Sequence, residues 1–117
     1  MEELKKIAND VPNNINEHSE KLRNKLKNTS FVEITGGDPR IVGWNYNKGR
    51  EIGIRFINKR GDFYSYDIIV DTLLHELAHS ITENHGHGDE WVNLNNYLQA
   101  LKPRYVSILR NKYNYNY

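Results

Sequence analysis

The chain has 117 residues, no cysteine and a formal net charge of +1 at pH 7. This length suits a single domain with a modest hydrophobic core, and the lack of cysteine excludes a fold held together by disulfide bonds. Because the charge is nearly balanced, composition alone gives no signal for binding to nucleic acid.

The beginning of the chain, Met1-Glu2-Glu3-Leu4-Lys5-Lys6, lacks the apolar core of a secretory signal peptide. No apolar run elsewhere approaches the length that crosses a membrane. Together with the missing cysteines, these features predict an intracellular protein, nuclear or cytoplasmic, that makes no membrane contact. A monomeric state is favoured.

The N-terminal half of the chain is predicted to contain two helices and then three strands. Residues 2–8 suit a short helix that Pro12 interrupts, and residues 14–27 have the apolar spacing of an amphipathic helix. The expected strands cover residues 31–35, 41–46 and 51–57. The turn Asn47-Lys48-Gly49 joins the last two strands, which predicts an antiparallel hairpin with the glycine at a positive φ.

The second half is predicted to be mainly helical. A long helix over residues 67–82 has Ser65 or Asp67 as its N-cap, and a last helix covers residues 89–101. Residues 103–117 are expected to be a flexible C-terminal tail, because a proline blocks continuation of the last helix and the final residues are low in sequence complexity.

These elements predict an α+β fold for a single domain over residues 1–102, with its core at about 40–101. The expected architecture is a small antiparallel sheet of three to four strands packed on the long helix. The shorter helices are expected to flank this arrangement.

The most informative residues lie on the predicted long helix. His75 and His79 are four residues apart, so both imidazoles lie on one helix face and can bind one metal ion. Glu76 follows the first histidine, where its carboxylate can act as general base on a water at that metal. This arrangement is typical of a catalytic zinc site in a peptidase, and His85 and His87 are the candidates for a third ligand.

A histidine cluster can also arise by chance or serve a purely structural role. A surface helix can carry two histidines by accident, but four of the five histidines fall between positions 75 and 87. A structural zinc site usually has cysteine ligands, which this chain lacks. Because a glutamate beside a ligand histidine also suits catalysis better than a structural role, the catalytic interpretation is preferred.

Motifs on both sides of this helix resemble those of a known family. They are Gly43-Trp44-Asn45-Tyr46-Asn47-Lys48-Gly49-Arg50-Glu51-Ile52, Arg55, Asp62-Phe63, Tyr66, Leu73-Leu74-His75-Glu76-Leu77-Ala78-His79, His87 and Trp91. Over roughly residues 40–100 the chain is similar to the WLM (Wss-like) metalloprotease domain, a relative of the SprT/Spartan-like zinc proteases. The resemblance implies a small zincin-like fold, one Zn²⁺ ion and cleavage of proteins that are crosslinked to DNA.

The resemblance also bears on the third metal ligand. In WLM domains this histidine usually lies six residues after the second one, a position that His85 occupies. The residues after His87, Gly88-Asp89-Glu90-Trp91, resemble those that follow the ligand in SprT-like proteins. We therefore predict His87 as the third ligand and keep His85 as the alternative.

The expected chemistry is hydrolysis at a metal ion with one open coordination position. Three neutral imidazoles leave Zn²⁺ its full charge, which lowers the pKa of bound water to about 7. Glu76 would then carry the proton to the leaving amine, while the substrate lies extended along an exposed strand edge. Asp71 is a candidate partner for the ring of His75. The candidates for stabilising the oxyanion are Tyr66, Tyr64 and His85.

A basic and aromatic segment is the candidate contact with DNA. Its basic residues are Arg50, Arg55, Lys59 and Arg60, and its aromatic residues are Trp44, Tyr46, Phe63 and Tyr64. Such side chains pair with phosphates and stack on bases of single-stranded nucleic acid. An equally supported alternative is that the aromatic residues belong to the core and the charged residues are only solvated surface. The basic cluster interpreted as solvated surface comprises Lys21, Arg23, Lys25 and Lys27.

The predicted function is therefore a zinc endopeptidase whose substrates are DNA-bound or DNA-crosslinked proteins, with DNA as recruiter or activator. One alternative is a general zinc peptidase without a nucleic-acid role. Another is a non-catalytic zinc-containing binding module, against which the intact Glu76 argues.

Overall fold

A computed structural model describes residues 1–83 and 87–113 of the chain. Its strands are β1 (Ser30–Glu33), β2 (Gly43–Tyr46) and β3 (Glu51–Ile54). Its α-helices are α1 (Glu2–Asp10), α2 (Ser19–Leu26), α3 (Tyr66–Ile81), α4 (Asp89–Gln99) and α5 (Lys102–Tyr113). A short 3₁₀ helix, Val11–Asn14, follows α1 and has Pro12 in its first turn, where a missing N–H is tolerated.

The three strands form one sheet in the order β1-β3-β2. Strands β2 and β3 pair antiparallel, with Gly43 opposite Ile54 and Tyr46 opposite Glu51, so the predicted hairpin is confirmed. Strand β1, however, pairs parallel with β3, so the prediction of a fully antiparallel sheet is wrong. Residues 34–42 connect β1 to β2, and these two strands lie at opposite edges of the sheet. Strand β3, which follows in the hairpin, lies between them.

Helix α3 is the centre of the hydrophobic core. It begins where the Ser65 side chain accepts a hydrogen bond from the Ile68 backbone N–H at 3.2 Å, which confirms one of the two predicted N-caps. The sheet packs against α3, and α1, α2, α4 and α5 pack around its remaining surface. Its buried apolar residues are Ile69, Val70, Leu73, Leu74, Leu77, Ala78 and Ile81. Because α3 is enclosed on several sides, its apolar stripe is wide.

Residues 103–113 do not form a flexible tail, and that prediction is wrong. They belong to α5, in which Tyr105, Val106 and Leu109 are buried against the core. The Tyr105 hydroxyl donates a hydrogen bond to Asp10 at 3.1 Å, which fastens α5 to α1. Pro103 lies in the first turn of this new helix, where no N–H is needed. The domain therefore continues beyond residue 102, and residues 114–117 lie outside the described part of the chain.

Within residues 1–83 and 87–113, every helix is too short or too polar to cross a membrane.

Candidate metal centre

Three histidines come together between the last turns of α3 and the start of α4. His75 and His79 lie one turn apart on α3, and His87 lies two residues before α4. One ring nitrogen from each histidine lies within 4.8 Å of those of the other two. The Nε2 atoms of His79 and His87 are 3.0 Å apart. Two nitrogens bound to one tetrahedral zinc ion are separated by about 3.3 Å, so the donor atoms fit a single Zn²⁺ ion.

Trp91 forms one wall of this cluster. The centroid of its ring lies 4.6 Å from that of His75, 5.1 Å from that of His79 and 4.5 Å from that of His87. Its indole Nε1 donates a long hydrogen bond of 3.4 Å to the His75 backbone oxygen. Trp91 therefore ties α4 to α3 and limits the ways in which the three imidazoles can turn.

The surroundings favour neutral imidazoles. Burial, and then the charge of His87, lower the pKa of His75, while the Asp71 carboxylate opposes this shift. Burial lowers the pKa of His79 to about 4, and the charges of His75, His87 and Lys48 act in the same direction. Since a neutral ring is the form that binds a metal ion, His75 and His79 are in the ligand form at neutral pH. Asp71 acts on His75 through its charge.

Glu76 lies beside the histidines and is shielded from solvent. Only 7% of its side chain is exposed, and its Oε2 lies 3.9 Å from Nε2 of His75. Burial raises the pKa of Glu76 to about 7. A Cβ atom on Gly43 would lie 2.9 Å from this Oε2 and 2.5 Å from Cγ2 of Thr72, so glycine allows β2 to approach the carboxylate.

Side chains of the β2–β3 hairpin complete the site, and the sequence analysis missed them. The Asn45 amide donates to the Glu76 backbone oxygen at 2.7 Å and to Ser80 Oγ at 2.8 Å. Its Oδ1 accepts a hydrogen bond from the Gly49 N–H at 2.8 Å. Lys48 Nζ donates to the backbone oxygen of Thr82 at 2.8 Å, at the end of α3. The alternation of Gly43 and Asn45 on one strand face was the available signal for Asn45.

The turn between β2 and β3 is held in an unusual conformation. Asn47, Lys48 and Gly49 have φ values of 55°, 53° and 94°. The left-handed region costs a residue other than glycine about 1 kcal/mol or more, and it persists where packing enforces it. Gly49 packs so closely on α3 that an added Cβ would lie 2.8 Å from Ser80 Oγ. Packing on α3 therefore fixes the turn beside the histidines.

These residues enclose a cavity of about 320 Å³. It is lined by Gly43, Asn45, Asn47, Lys48, His75, Glu76, His79 and His87. Strand β2 lies at the edge of the sheet and pairs with β3 on its inner side. Gly43 and Asn45 of this edge strand line the cavity, so β2 borders it next to the histidines.

The tyrosines proposed for the oxyanion lie elsewhere. Tyr66 begins α3, and the nine residues to His75 correspond to about 13 Å along a helix. Tyr64 and Tyr66 line a separate, largely apolar cavity together with Phe56 and Tyr113. The oxyanion role predicted for these two tyrosines is therefore wrong.

His85, the alternative third ligand and a further oxyanion candidate, lies outside the described residues.

The basic residues proposed for DNA binding do not share one surface. Arg55 is 7% exposed, and its guanidinium donates to the backbone oxygens of Ile41 at 2.8 Å and Gly36 at 2.6 Å. It braces the connection to β2, so its predicted DNA contact is wrong. Arg50 is exposed beside α2, whereas Lys59 and Arg60 are exposed on a different turn.

The chain is similar to known proteins in sequence and in fold. The sequence model of the WLM domain matches residues 1–111. A crystal structure of Wss1 from Saccharomyces cerevisiae is 26% identical, with a TM-score of 0.59 over 75% of this chain and 73% of that chain. A crystal structure of a Wss1 mutant from the same yeast is also 26% identical, with a TM-score of 0.57 over 89% and 84%. A comparison with curated proteins gives no match.

Proposed function

The chain belongs to the WLM domain family, and from this premise we propose that it is a zinc-dependent endopeptidase acting on proteins bound or crosslinked to DNA. The observation that carries the proposal is one cavity that brings together the rings of three histidines, the buried carboxylate of Glu76 and two residues of the edge strand β2. Metal ligands, a proton carrier and a place for an extended peptide are the parts that such an enzyme needs.

We assign one zinc ion to His75, His79 and His87. The fit rests on the spacing of their ring nitrogens and on the low pKa values that keep the first two rings neutral. When bound there, zinc would supply a Lewis acid that activates water and polarises a carbonyl group. Trp91 would hold the three rings in the orientation that this requires.

Glu76 is the proposed proton carrier. A carboxylate with a pKa of about 7 can take a proton from water and return it to the leaving amine at neutral pH. The close approach of Gly43 fixes this side chain on the strand side. In place of the tyrosines, we assign stabilisation of the carbonyl oxygen to the charge of Lys48, which borders the same cavity.

The peptide would bind along the open edge of β2 as an added strand. Main-chain hydrogen bonds would then supply most of the contacts, since Gly43 offers no side chain and the cavity is small. Such a site selects weakly among side chains, so specificity would come from recruitment of the substrate. The family resemblance and the exposed basic residues support DNA as the recruiter.

A cleavage assay on a DNA-binding protein tests the proposal. The zinc-loaded enzyme is compared with a chelator-treated sample and with Glu76→Gln, each with and without single-stranded DNA. Metal-dependent cleavage that DNA stimulates and Glu76→Gln lacks is expected, because DNA brings enzyme and substrate together. Equal cleavage with and without DNA would favour a general zinc peptidase. Zinc binding without any cleavage would favour a non-catalytic module.

A further inference from the structure

A groove with a strongly basic lining lies between α2 and the β2–β3 turn. Its volume is about 290 Å³. Helix α2 and the residues after it contribute Lys21, Asn24, Lys25 and Asn28, and the turn contributes Asn47, Lys48, Gly49 and Arg50. Four of these lining residues are cationic, three are carboxamides and none is acidic. A groove with cations on both walls and amide donors between them suits an anion with many acceptor oxygens.

The two walls of the groove are fastened to each other. The Thr29 hydroxyl contacts the backbone oxygens of Lys25 at 2.9 Å and Gly49 at 2.6 Å. The Ser30 N–H donates to the backbone oxygen of Arg50 at 2.9 Å. Because these contacts join the end of α2 to the turn, the backbone segments that carry the cations are held together before any ligand arrives, which lowers the entropic cost of binding.

The groove is continuous with the metal centre. Asn47 and Lys48 line both the groove and the cavity of the three histidines. A chain bound in the groove would therefore end beside the cavity. One acid lies close by: Glu83 pairs with Lys21, and the charges of Lys25 and Lys48 also act on it. Glu83 offsets part of the positive charge at one side of the groove.

We propose that this groove binds the phosphate backbone of single-stranded nucleic acid. The inference rests on the proposed function, since it places the recruiting strand where an attached protein reaches the metal centre. Phosphodiesters fit because their oxygens accept from lysine, arginine and carboxamide groups alike. The small volume suits one strand, and contacts to phosphate alone make the groove indifferent to base sequence.

This assignment differs from the one that the sequence predicted. Lys59 and Arg60 lie on a separate turn, which the Asn58 side chain holds by accepting from the backbone N–H groups of Arg60 at 2.8 Å and Asp62 at 3.0 Å. They line another basic pocket, and that pocket shares no lining residue with the metal cavity. They therefore serve as a matched control of equal charge.

Fluorescence anisotropy with labelled oligo-dT and oligo-U tests the groove in the zinc-loaded full chain. The variant Lys25→Gln/Arg50→Gln is compared with Lys59→Gln/Arg60→Gln, which removes the same charge. The first pair is chosen because Lys21 and Lys48 already have partners. We expect the groove variant to bind roughly tenfold more weakly, with a salt slope reduced by about 1.4 for two lost phosphate contacts. The control should bind like the wild type.

Equal losses in the two variants would overturn the groove assignment, and so would tighter binding of a duplex or of poly-glutamate. Arg50→Lys, which keeps the charge, should restore binding to near the wild-type value, and unchanged zinc content shows that each variant is folded. Anisotropy measures binding and not cleavage. An inactive protein that binds through the groove would therefore refute only the proposed peptidase, and an active one that binds elsewhere would refute only the groove.

Discussion

The two ends of α3 differ in chemistry although they belong to one continuous helix. The cavity at the N-terminal end is the larger, at about 640 Å³, and is lined mainly by aromatic and aliphatic side chains such as Tyr66 and Phe63. The cavity at the C-terminal end, at about 320 Å³, is lined by three histidines, Glu76, two asparagines and Lys48. Choosing the site by cavity size would therefore select the wrong end of the helix. The candidate site is identified instead by its metal-binding and proton-carrying side chains.

The same comparison explains why the hairpin matters. At the C-terminal end, hydrogen bonds from Asn45 and Lys48 join the β2–β3 hairpin to α3 and enclose polar groups around the histidines. At the N-terminal end, the groups around α3 come from α1, α5 and the residues before the helix, and they offer mostly apolar surface. At the C-terminal end, burial raises the pKa of Glu76 to about 7, and burial together with the charges of His75, His87 and Lys48 lowers the pKa of His79 to about 4. Shifted pKa values of this kind mark a candidate functional site.

The largest expected effect is on cleavage at the C-terminal end. Glu76→Gln should lower the cleavage rate by about 10²–10⁴-fold, because the amide cannot carry a proton, while zinc stays bound. Tyr66→Phe, at the other end of α3, should cleave like the wild type. Peptide cleavage assays with elemental analysis of zinc measure both outcomes. An active Glu76→Gln enzyme would disprove the assigned mechanism.

The next effect concerns the third ligand. His87→Ala should weaken zinc affinity by more than about 100-fold, because it removes one of the three proposed zinc ligands. Loss of a residue that only supports a ligand already lowers metal affinity by about 10–100-fold. His85→Ala should keep zinc and lower the rate modestly. Competition with a chromogenic zinc chelator gives the two affinities. The assignment is reversed if His85→Ala loses the metal and His87→Ala retains it.

The sequence was sufficient for features that depend on neighbours along the chain. Helix α3 follows from its apolar spacing and the Ser65 cap, and the hairpin follows from the Asn47-Lys48-Gly49 turn between two strands. Burial of α5 was also readable, because Tyr105 and Leu109 are four residues apart on one helix face. The flexible tail was predicted because Pro103 was interpreted as the end of a helix, whereas it lies in the first turn of the next one.

Features that depend on distant parts of the chain could not be predicted in this way. The position of β3 between β1 and β2 could not be read from local patterns, since short strands with turns fit several sheet orders. Arg55 looks like surface in an alternating strand, and only the fold brings three backbone oxygens around its guanidinium. The distance of Tyr66 from His75 was predictable, because both residues lie on the same helix and the rise per residue gives their separation.

A smaller effect should follow from filling the space between β2 and α3. Gly43→Ala places a Cβ 2.5 Å from Cγ2 of Thr72 and 2.9 Å from Oε2 of Glu76, so the strand or the carboxylate must move. We expect a loss of about 1–3 kcal/mol in the free energy of unfolding, with reduced cleavage. Gly36→Ala is the matched control, since nothing lies within 4 Å of its added Cβ. Urea denaturation of both variants measures the difference, and equal stabilities would show that β2 does not pack as described.

The smallest effect is expected at the N-terminal end of α3, where the larger of the two cavities lies. Phe63 borders that cavity but is 75% exposed, so Phe63→Ser removes little buried surface. The free energy of unfolding should change by no more than about 0.5 kcal/mol, as is usual for surface substitutions. Cleavage of an unstructured peptide should be unchanged, because no group of the metal cavity is touched. A marked fall in cleavage, measured with zinc content and stability unchanged, would show that the two ends of α3 act together in substrate binding. The contrast between a reactive end and an apolar end of the helix would then be wrong.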